Sequence, residues 1–377
     1  MRASTVSLLR KVRNRLTPKI RPVCIHEEKT VTVYPVFPAE KFLMPEMREF
    51  REKDPEVFDA YQENIPELSI FLVKLGKCIV GNEEVFTANN RVINEITSQK
   101  SNLMVGQRVA KLKKFKKYGG KVLNLSLSGL ENNYYHFNTE FLGRWFLFKE
   151  SGIEVDWVIF PQNKLFQHQF ANFLGLDPKK IITENGLTIQ ADVLVVPQLI
   201  NNWRFHQYRG YNHFIKLWAP SWLKQYYNTI LRSEIRNSTT GKIYISRYKT
   251  SYRKVLNEQE LVSLLEKYGF QILVLEDFSI EEQISLFRQA QVIVAAHGAG
   301  LSNISFCSKK VKILELYSQH YHDSSYRIHS VIMGHEYSFI ICKTPLIENI
   351  HPQEEDLIVD LDRVEKWLLE CDSTALI

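Results

Sequence analysis

The strongest chemical signal in the sequence is the loop HGAGLSN, residues 297–303, which directly follows the apolar run VIVAA. Gly298 and Gly300 would let the backbone approach a ligand closely, and the first amides of a following helix would point at a bound anion. The loop therefore predicts an anion site, although a tight turn has the same pattern. His297 could donate a hydrogen bond to a phosphate or be a satisfied core histidine.

A basic loop, SRYKTSYR at residues 246–253, also follows an apolar run. It contains Arg247, Lys249 and Arg253, and the planar guanidinium of arginine suits phosphate oxygens. Facing an amide-lined turn, this loop would neutralise a diphosphate without a metal; a solvated basic loop is the alternative. Glu315, which ends the run VKILE, could accept hydrogen bonds from ribose hydroxyls or be an ordinary strand-end residue.

Three polar residues share one face of a predicted helix. His136, Glu140 and Arg144 recur at intervals of four residues in NNYYHFNTEFLGR. A histidine oriented by a carboxylate is a usable general base near neutral pH. A structural polar ladder along the helix is the alternative interpretation.

Other candidate sites have weaker patterns. His320, His322 and Asp323 could bind a metal ion, but no second cluster of ligands accompanies them, so no metal site is predicted. The sequence DLD at 360–362 resembles an Asp-x-Asp metal motif, yet it precedes a helical pattern and is better explained as a helix cap. Residues 201–214 mix aromatic, basic and amide side chains, which suits stacking on sugar rings or on bases.

The elements that must position these loops follow from the hydrophobic pattern. From residue 241 onward, short β-branched runs alternate with helical periodicity, which indicates parallel βαβ units in a doubly wound sheet. Two such units facing each other would place the loops after their strands around one cleft. The predicted segments are a mixed α/β segment of open role (1–118), a Rossmann-like domain (119–218), a linking helix (219–240), a second Rossmann-like domain (241–345) and a C-terminal tail with a helix (346–377).

The charge distribution limits the range of partners. The 377 residues carry a formal net charge of +6, but residues 1–21 and 108–121 each hold seven basic side chains and no acidic one. The rest of the chain has 34 basic residues against 42 acidic ones, a net charge of −8. This acidic body argues against a nucleic-acid-binding protein, which would need a broad basic face.

Cysteine spacing and hydropathy indicate the compartment. The five cysteines form no C-x-x-C pair, and no segment has the ~18 consecutive apolar residues of a spanning helix. The first 20 residues also lack the apolar core of a secretory signal, so we expect a cytoplasmic protein. Apolar residues among the basic ones of 1–21 would let this stretch rest on an anionic membrane surface at the inner face; a solvated tail has the same composition.

Several motifs occur together in a fixed order: NNYYHFNTE, then ISRYKTSYRKVLNEQEL, then HGAGLSN followed by VKILEL. In this combination the sequence resembles glycosyltransferase family 61, whose members share an H-F/W-x-x-E segment, an S-R…R-x-x-x-N-E stretch and an H-G-A-G-L-x-N loop before a strand ending in Glu. The resemblance covers residues 120–318 and is strongest over 243–318. Within the family, the sequence looks most like bacterial enzymes of capsular or exopolysaccharide assembly.

The resemblance implies an α/β fold of GT-B type, with two Rossmann-like parallel-sheet domains facing a cleft. It also implies inverting, metal-independent transfer from a nucleotide-sugar donor to a glycan or lipid-linked acceptor, with no cofactor. His136 and Glu140 match the catalytic motif that faces the acceptor. The implied donor-binding residues are Ser246, Arg247, Arg253, His297, Gly298, Ala299, Gly300, Asn303 and Glu315. The alternatives are another sugar-nucleotide enzyme of this fold, such as an epimerase or a pyruvyl-type transferase, and a non-catalytic carbohydrate-binding module.

Overall fold

The structure is a computed structural model in which two compact units can be distinguished. Unit 1 comprises residues 1–38, 67–132 and 140–200, and unit 2 comprises residues 39–66, 133–139 and 201–377. The structure describes residues 21–53, 55–93, 96, 112, 114–200, 218–230, 241–345 and 350–373.

The regular elements of the described residues are short strands and helices of up to 13 residues. The first ten strands are β1 (Pro22–Val23), β2 (Val31–Phe37), β3 (Glu40–Met44), β4 (Met47–Arg48), β5 (Val57–Phe58), β6 (Tyr61–Ile65), β7 (Leu68–Lys74), β8 (Lys77–Ile79), β9 (Val85–Phe86) and β10 (Val92–Ile93). The others are β11 (Lys116–Asn124), β12 (Trp157–Ile159), β13 (Ile181–Ile182), β14 (Thr188–Pro197), β15 (Lys242–Ile245), β16 (Gln271–Leu273), β17 (Val292–Ala296), β18 (Lys312–Tyr317) and β19 (Glu336–Ile341). The helices are α1 (Tyr134–His136), α2 (Leu142–Glu150), α3 (Leu165–Phe173), α4 (Leu223–Ile230), α5 (Glu258–Lys267), α6 (Ile280–Gln289), α7 (Ser325–Met333) and α8 (Leu361–Ser373).

The main sheet of unit 2 has five parallel strands in the order β16-β15-β17-β18-β19. Its central strands are apolar on both faces because helices cover them: all five residues of β17 are buried, and so are Ile313 to Tyr317 of β18. Leu261 and Leu265 of α5 and Trp367 of α8 pack into this core. The predicted alternation of strands and helices from residue 241 onward is confirmed.

Residues 39–66 lie in unit 2, although they come from the N-terminal segment predicted as one piece over 1–118. They form the antiparallel pairs β3-β6 and β4-β5. Phe58 packs against Phe339 of β19, and buried Glu49 forms an ion pair with Arg363 of α8 at 2.9 Å. These partners are nearly 300 residues away in the sequence, so local periodicity alone does not indicate the placement of this segment.

Unit 1 contains a ten-stranded mixed sheet in the order β1-β10-β9-β8-β14-β11-β12-β13, in which β7 also pairs with β14 and β2 with β7. Strands β14, β11, β12 and β13 are parallel, as predicted for the α/β unit over 119–218. Strands β7 and β8 from the N-terminal segment run antiparallel to β14 and extend the same sheet. They join it because Ile70, Val73 and Cys78 are fully buried there, so the sheet is larger and less regular than the predicted Rossmann-like domain.

Several segments with predictions lie partly or wholly outside the described residues. These are the basic stretch over 1–21 apart from Arg21, residues 108–111 and 113 of the second basic stretch, the aromatic segment 201–214, residues 231–240 of the predicted linking helix, and residues 346–349 and 374–377 of the C-terminal segment. Within the predicted linking helix, Leu223–Ile230 is helical. No helix among the described residues is long and apolar enough to cross a membrane. Residues 116–121 of the second basic stretch form the beginning of β11.

Candidate anion site

The two predicted loops lie next to each other at the point where the strand order of the unit 2 sheet reverses. The first strand, β15, lies between the second, β16, and the third, β17. Loop 246–253 follows β15 and loop 297–303 follows β17, so both leave the carboxyl ends of neighbouring parallel strands. In doubly wound sheets, ligands bind in the crevice at this reversal. The fold therefore brings the arginine loop and the glycine loop together.

Arg247 is held rigidly by the backbone of its own loop. Its Nε donates to the carbonyl of Arg253 at 2.9 Å, and its Nη2 donates to the carbonyl of Tyr252 at 3.0 Å. The φ angle of Arg253 is +53°, in the left-handed region, so the loop turns sharply at this residue. The guanidinium of Arg253 lies 5.0 Å from the Tyr252 ring centroid and 6.0 Å from that of Tyr321. The Arg247 guanidinium is thus fixed before a ligand binds, and that of Arg253 lies near two aromatic rings.

Steric contacts explain why glycine occupies positions 298 and 300 of the second loop. A Cβ at position 298 would overlap Nη1 of Arg247, and a Cβ at position 300 would lie 2.7 Å from Cδ1 of Leu275. The carbonyl of Gly298 accepts a hydrogen bond from the Tyr326 hydroxyl at 2.6 Å. Gly298 therefore lets the Arg247 guanidinium lie against the backbone, and the 3₁₀ helix Ala299–Phe306 begins next to it.

The charges of the two arginines are not neutralised by the protein. Among the described residues no carboxylate lies within 4.0 Å of either guanidinium, whereas Lys249 in the same loop forms an ion pair with Asp277. Burial and the neighbouring Arg253 lower the pKa of Arg247 to about 10. The Nε atom of Arg253 is buried without a hydrogen-bond partner among the described residues. Two converging, half-buried cations of this kind suit an anion with two negative centres.

Ser246 anchors the loop rather than facing a ligand. It is 6% exposed, and its Oγ donates to Glu258 Oε1 at 2.9 Å. Glu258 Oε1 also accepts a hydrogen bond from the Tyr244 hydroxyl at 2.9 Å and from the Arg247 amide at 3.3 Å. Sequence analysis missed the role of Glu258, although the motif NEQEL contains it. Asn257, which directly precedes α5, exchanges two hydrogen bonds with the backbone of Val359.

His297 and Glu315 form a buried pair on neighbouring strands. Nδ1 of His297 lies 2.5 Å from Oε1 of Glu315, and Oε2 accepts a hydrogen bond from the Tyr337 hydroxyl at 2.5 Å. Glu315 is 0% exposed and uses both oxygens inside the protein, so a ribose would have to displace one of these partners. The carboxyl group of Glu315 therefore hydrogen-bonds and orients His297, a role that differs from the ribose contact expected from its strand-end position.

Asn303 also has its side chain engaged within unit 2. Its Nδ2 donates to Gln283 Oε1 at 2.9 Å, and its Oδ1 accepts from the Tyr134 hydroxyl at 2.5 Å. Asn138 donates to the carbonyl of Ser302 at 3.0 Å. These bonds attach the segment NYYHFN (133–138) to the glycine loop, so Asn303 positions the loop and does not present a free amide to a donor.

The predicted helix carrying His136, Glu140 and Arg144 is not continuous. The single turn α1 is followed by a π-helical stretch, Phe137–Phe141, before α2 begins. A π-turn shifts the register, so side chains four residues apart no longer share one face. Arg144 is buried and donates to the carbonyls of Pro197 and Ser126, which makes it structural. His136 belongs to unit 2 and Glu140 to unit 1, so their catalytic pairing stays a prediction.

The weaker metal hypothesis gains no support. His320 pairs with Glu355 at 2.7 Å, His322 contacts the carbonyl of Ser318, and Asp323 accepts hydrogen bonds from Ser325. No group of three or more His, Cys, Asp or Glu in the described part of the chain could hold a metal ion. At the DLD sequence, Asp360 accepts a hydrogen bond from the Arg363 amide, which agrees with the predicted helix cap.

Comparison with known proteins connects this geometry to a family. Residues 134–314, just under half of the chain, match the family model described as Glycosyltransferase 61. This part of the chain is similar to glycosyltransferase 61 domains. The matched range begins at Tyr134, which bonds to Asn303, and ends at Leu314, next to Glu315. It therefore contains both loops of the anion site and the segment attached to them.

One curated relative matches a shorter stretch. The EGF domain-specific O-linked N-acetylglucosamine transferase of Drosophila melanogaster is 38% identical over 78 residues, which are 20% of this chain and 15% of the relative. The chain thus spans a small part of the length of the curated relative that it matches. These comparisons support the similarity to glycosyltransferase 61 over residues 134–314; a bacterial capsular type is not among their findings.

Proposed function

We propose that the protein is a glycosyltransferase that moves a sugar from a nucleotide-sugar donor to a glycan or lipid-linked acceptor. The single observation that carries this proposal is the pair Arg247 and Arg253. Their guanidinia converge on the glycine loop at the sheet's reversal point with no carboxylate within 4.0 Å among the residues described. A diphosphate has the size and charge to occupy such a site. The similarity to glycosyltransferase 61 supports the same substrate class.

The proposed reaction is an inverting displacement without a metal. The acceptor hydroxyl oxygen attacks the anomeric carbon while the bond from that carbon to the phosphate oxygen breaks. The bonding electrons move to the diphosphate, whose growing charge the two guanidinia stabilise. The hydroxyl proton passes to a general base, for which we propose His136 assisted by Glu140. Two arginines can supply the positive charge for which other transferases use a divalent cation.

Further proposals concern the architecture, the biological role and the location of the protein. We propose a GT-B architecture and a role in polysaccharide biosynthesis in the cytoplasm, with the basic stretch 1–21 against an anionic membrane. The relative's name adds one donor worth testing early, a nucleotide derivative of N-acetylglucosamine. Deleting residues 1–21 should weaken binding to vesicles of anionic phospholipid and leave donor hydrolysis intact; unchanged vesicle binding would rule out the membrane contact.

The test of the proposed function is release of nucleoside diphosphate from a panel of nucleotide sugars, with and without EDTA. We expect release that depends on the acceptor and is unaffected by EDTA. Loss of turnover on chelation contradicts the metal-free displacement. Conversion of the donor sugar without an acceptor indicates an epimerase, and binding without release or conversion indicates a carbohydrate-binding module. His136→Gln should abolish transfer without weakening the binding of nucleoside diphosphate.

A further inference from the structure

The pair His297 and Glu315 has a geometry that the proposed displacement does not yet use. The 2.5 Å distance between Nδ1 and Oε1 lets one proton belong to either atom, and Glu315 has no exposed surface. Tyr337 binds the other oxygen at 2.5 Å. The His297 ring lies between aromatic rings, with the Tyr317 centroid at 5.4 Å and the Tyr326 centroid at 5.2 Å. With Nδ1 engaged by Glu315, Nε2 is the ring nitrogen left for a ligand.

The charges around the pair favour a neutral imidazole while the anion site holds no ligand. Burial and the positive charges of Arg253 and Arg247 lower the pKa of His297, and burial raises the pKa of Glu315 to about 8. The titratable and charged groups that face the pair are Arg247, Arg253, Tyr317, Tyr321, His322, Asp323, Tyr326, Arg327 and Tyr337. Because desolvation penalises both ions, the proton rests on Glu315 and is donated to Nδ1, which leaves the other ring proton on Nε2.

We infer that His297 is a catalytic residue and Glu315 its positioning residue, and that the proton between them moves to Nδ1 when a diphosphate occupies the site. This inference rests on the proposed function. The O–H bond of Glu315 breaks as the N–H bond at Nδ1 forms, so the pair becomes imidazolium and carboxylate and its total charge stays zero. The proton comes from within the pair, and none is taken from solvent. The imidazolium then adds a third positive group beside Arg247 and Arg253.

The physical cause of the shift is the charge of the ligand. In the empty site, two uncompensated guanidinia repel a positive imidazole. A bound diphosphate reverses the sign of the local potential, and inside a water-poor site that change is large compared with the same change in bulk solvent. The buried carboxylate is stabilised in turn by the Tyr337 hydroxyl. His297 therefore becomes positively charged only when an anion is bound beside it.

The test follows the ring nitrogens of His297 directly. The full chain labelled with ¹⁵N-histidine is titrated with inorganic pyrophosphate near pH 7, and the His297 signal is assigned by its loss in His297→Gln. We expect both ring nitrogens to move to imidazolium shifts, while calorimetry in buffers of different ionisation enthalpy shows no net proton uptake. Binding with unchanged nitrogen shifts, or with uptake of one proton, overturns the inference but leaves the anion site standing. No binding of pyrophosphate overturns the proposed function as well.

A variant and its matched control provide a second measurement. Glu315→Gln can hydrogen-bond Nδ1 but has no proton to transfer. We therefore expect kcat to fall about 100-fold and KM for the donor to rise, because the imidazolium is missing both when the donor binds and as charge develops on the diphosphate. Its His297 signal should stay neutral on binding pyrophosphate. Glu355→Gln alters a second histidine–carboxylate pair among the described residues of unit 2, at His320, and should have no effect on either quantity. Wild-type kcat in Glu315→Gln, or an imidazolium signal in it, would contradict the proton shift.

Discussion

The guanidinium of Arg247 lies directly against the backbone of Gly298, on the neighbouring strand's loop. Any side chain at position 298 would occupy the space of Nη1. This contact joins the two loops into one site, because Arg247 is at the same time bound to the carbonyls of Tyr252 and Arg253. The position of the Arg247 guanidinium therefore depends on that of the Gly298 backbone, and the reverse also holds.

Gly298→Ala should displace the Arg247 guanidinium without unfolding the protein. The φ angle of Gly298 is 176°, an extended conformation that alanine also adopts, and the clash involves only the end of a long side chain. We expect affinity for nucleoside diphosphate, measured by calorimetry, to fall about tenfold or more. Gly119→Ala is the control, since its nearest neighbour would be 3.9 Å away. Unchanged affinity in Gly298→Ala would show that the contact is incidental.

Arg247→Ala should remove a charge-assisted partner of the diphosphate. Such an interaction is worth ~1.5–3 kcal/mol, so the Kd for nucleoside diphosphate should rise about 10- to 150-fold. Arg247→Lys should recover only part of this affinity because an ammonium lacks the planar fork. Lys249→Ala, in the same loop but paired with Asp277, is the control and should bind normally. Equal losses in both alanine variants would point to a general charge effect.

Glu258→Ala should loosen the arginine loop. Its carboxylate holds the Tyr244 and Ser246 hydroxyls and the Arg247 amide, and their loss should cost about 1–3 kcal/mol of unfolding free energy. The Kd for nucleoside diphosphate should also rise, but less than in Arg247→Ala. Glu260→Ala, an exposed change in the same helix, should alter neither urea denaturation nor binding. A stable Glu258→Ala protein with normal affinity would exclude an anchoring role.

The stability of the protein should fall between about pH 6.5 and 8 because of Glu315. Burial raises its pKa from 4.5 to about 8, so the folded state keeps a proton that the unfolded chain has lost, and stability decreases with pH across this window. Below pH 6.5, His297 opposes the trend because its folded pKa is lowered. Urea denaturation over this range should show the decline relative to Glu315→Gln, which has no proton to lose. Parallel curves would contradict the raised pKa.

Tyr337→Phe should move this decline to higher pH. Burial raises the pKa of Glu315, and the hydrogen bond that the Tyr337 hydroxyl donates to it lowers this pKa. Removing the hydroxyl should therefore raise the pKa of Glu315 further. Urea denaturation across the same pH range measures the displacement. Tyr268→Phe removes an exposed hydroxyl from Glu365 and is the matched control. A shift to lower pH in Tyr337→Phe would mean that the hydroxyl acts in the opposite sense.

The elements of residues 241–345 could be predicted from the sequence because their signals are local. Runs such as VIVAA and KIYIS are buried on both faces, and the helices between them carry apolar residues at helical spacing. The proximity of the arginine loop to the glycine loop followed as well, since both follow parallel strands. Residue types and strand ends were therefore enough to predict that these two loops meet.

Only the tertiary structure shows which polar atoms of the site have protein partners and which remain available to a ligand. Glu315 is committed to His297 and Tyr337, Asn303 to Tyr134 and Gln283, and Ser246 to Glu258. The π-turn before α2 and the placement of residues 39–66 in unit 2 are two further features that only the tertiary structure shows. Periodicity reports which face of an element is buried, but a hydrogen-bond partner far away in the sequence depends on how the elements pack. The sequence thus determined the chemistry available, and packing determined which groups remain to perform it.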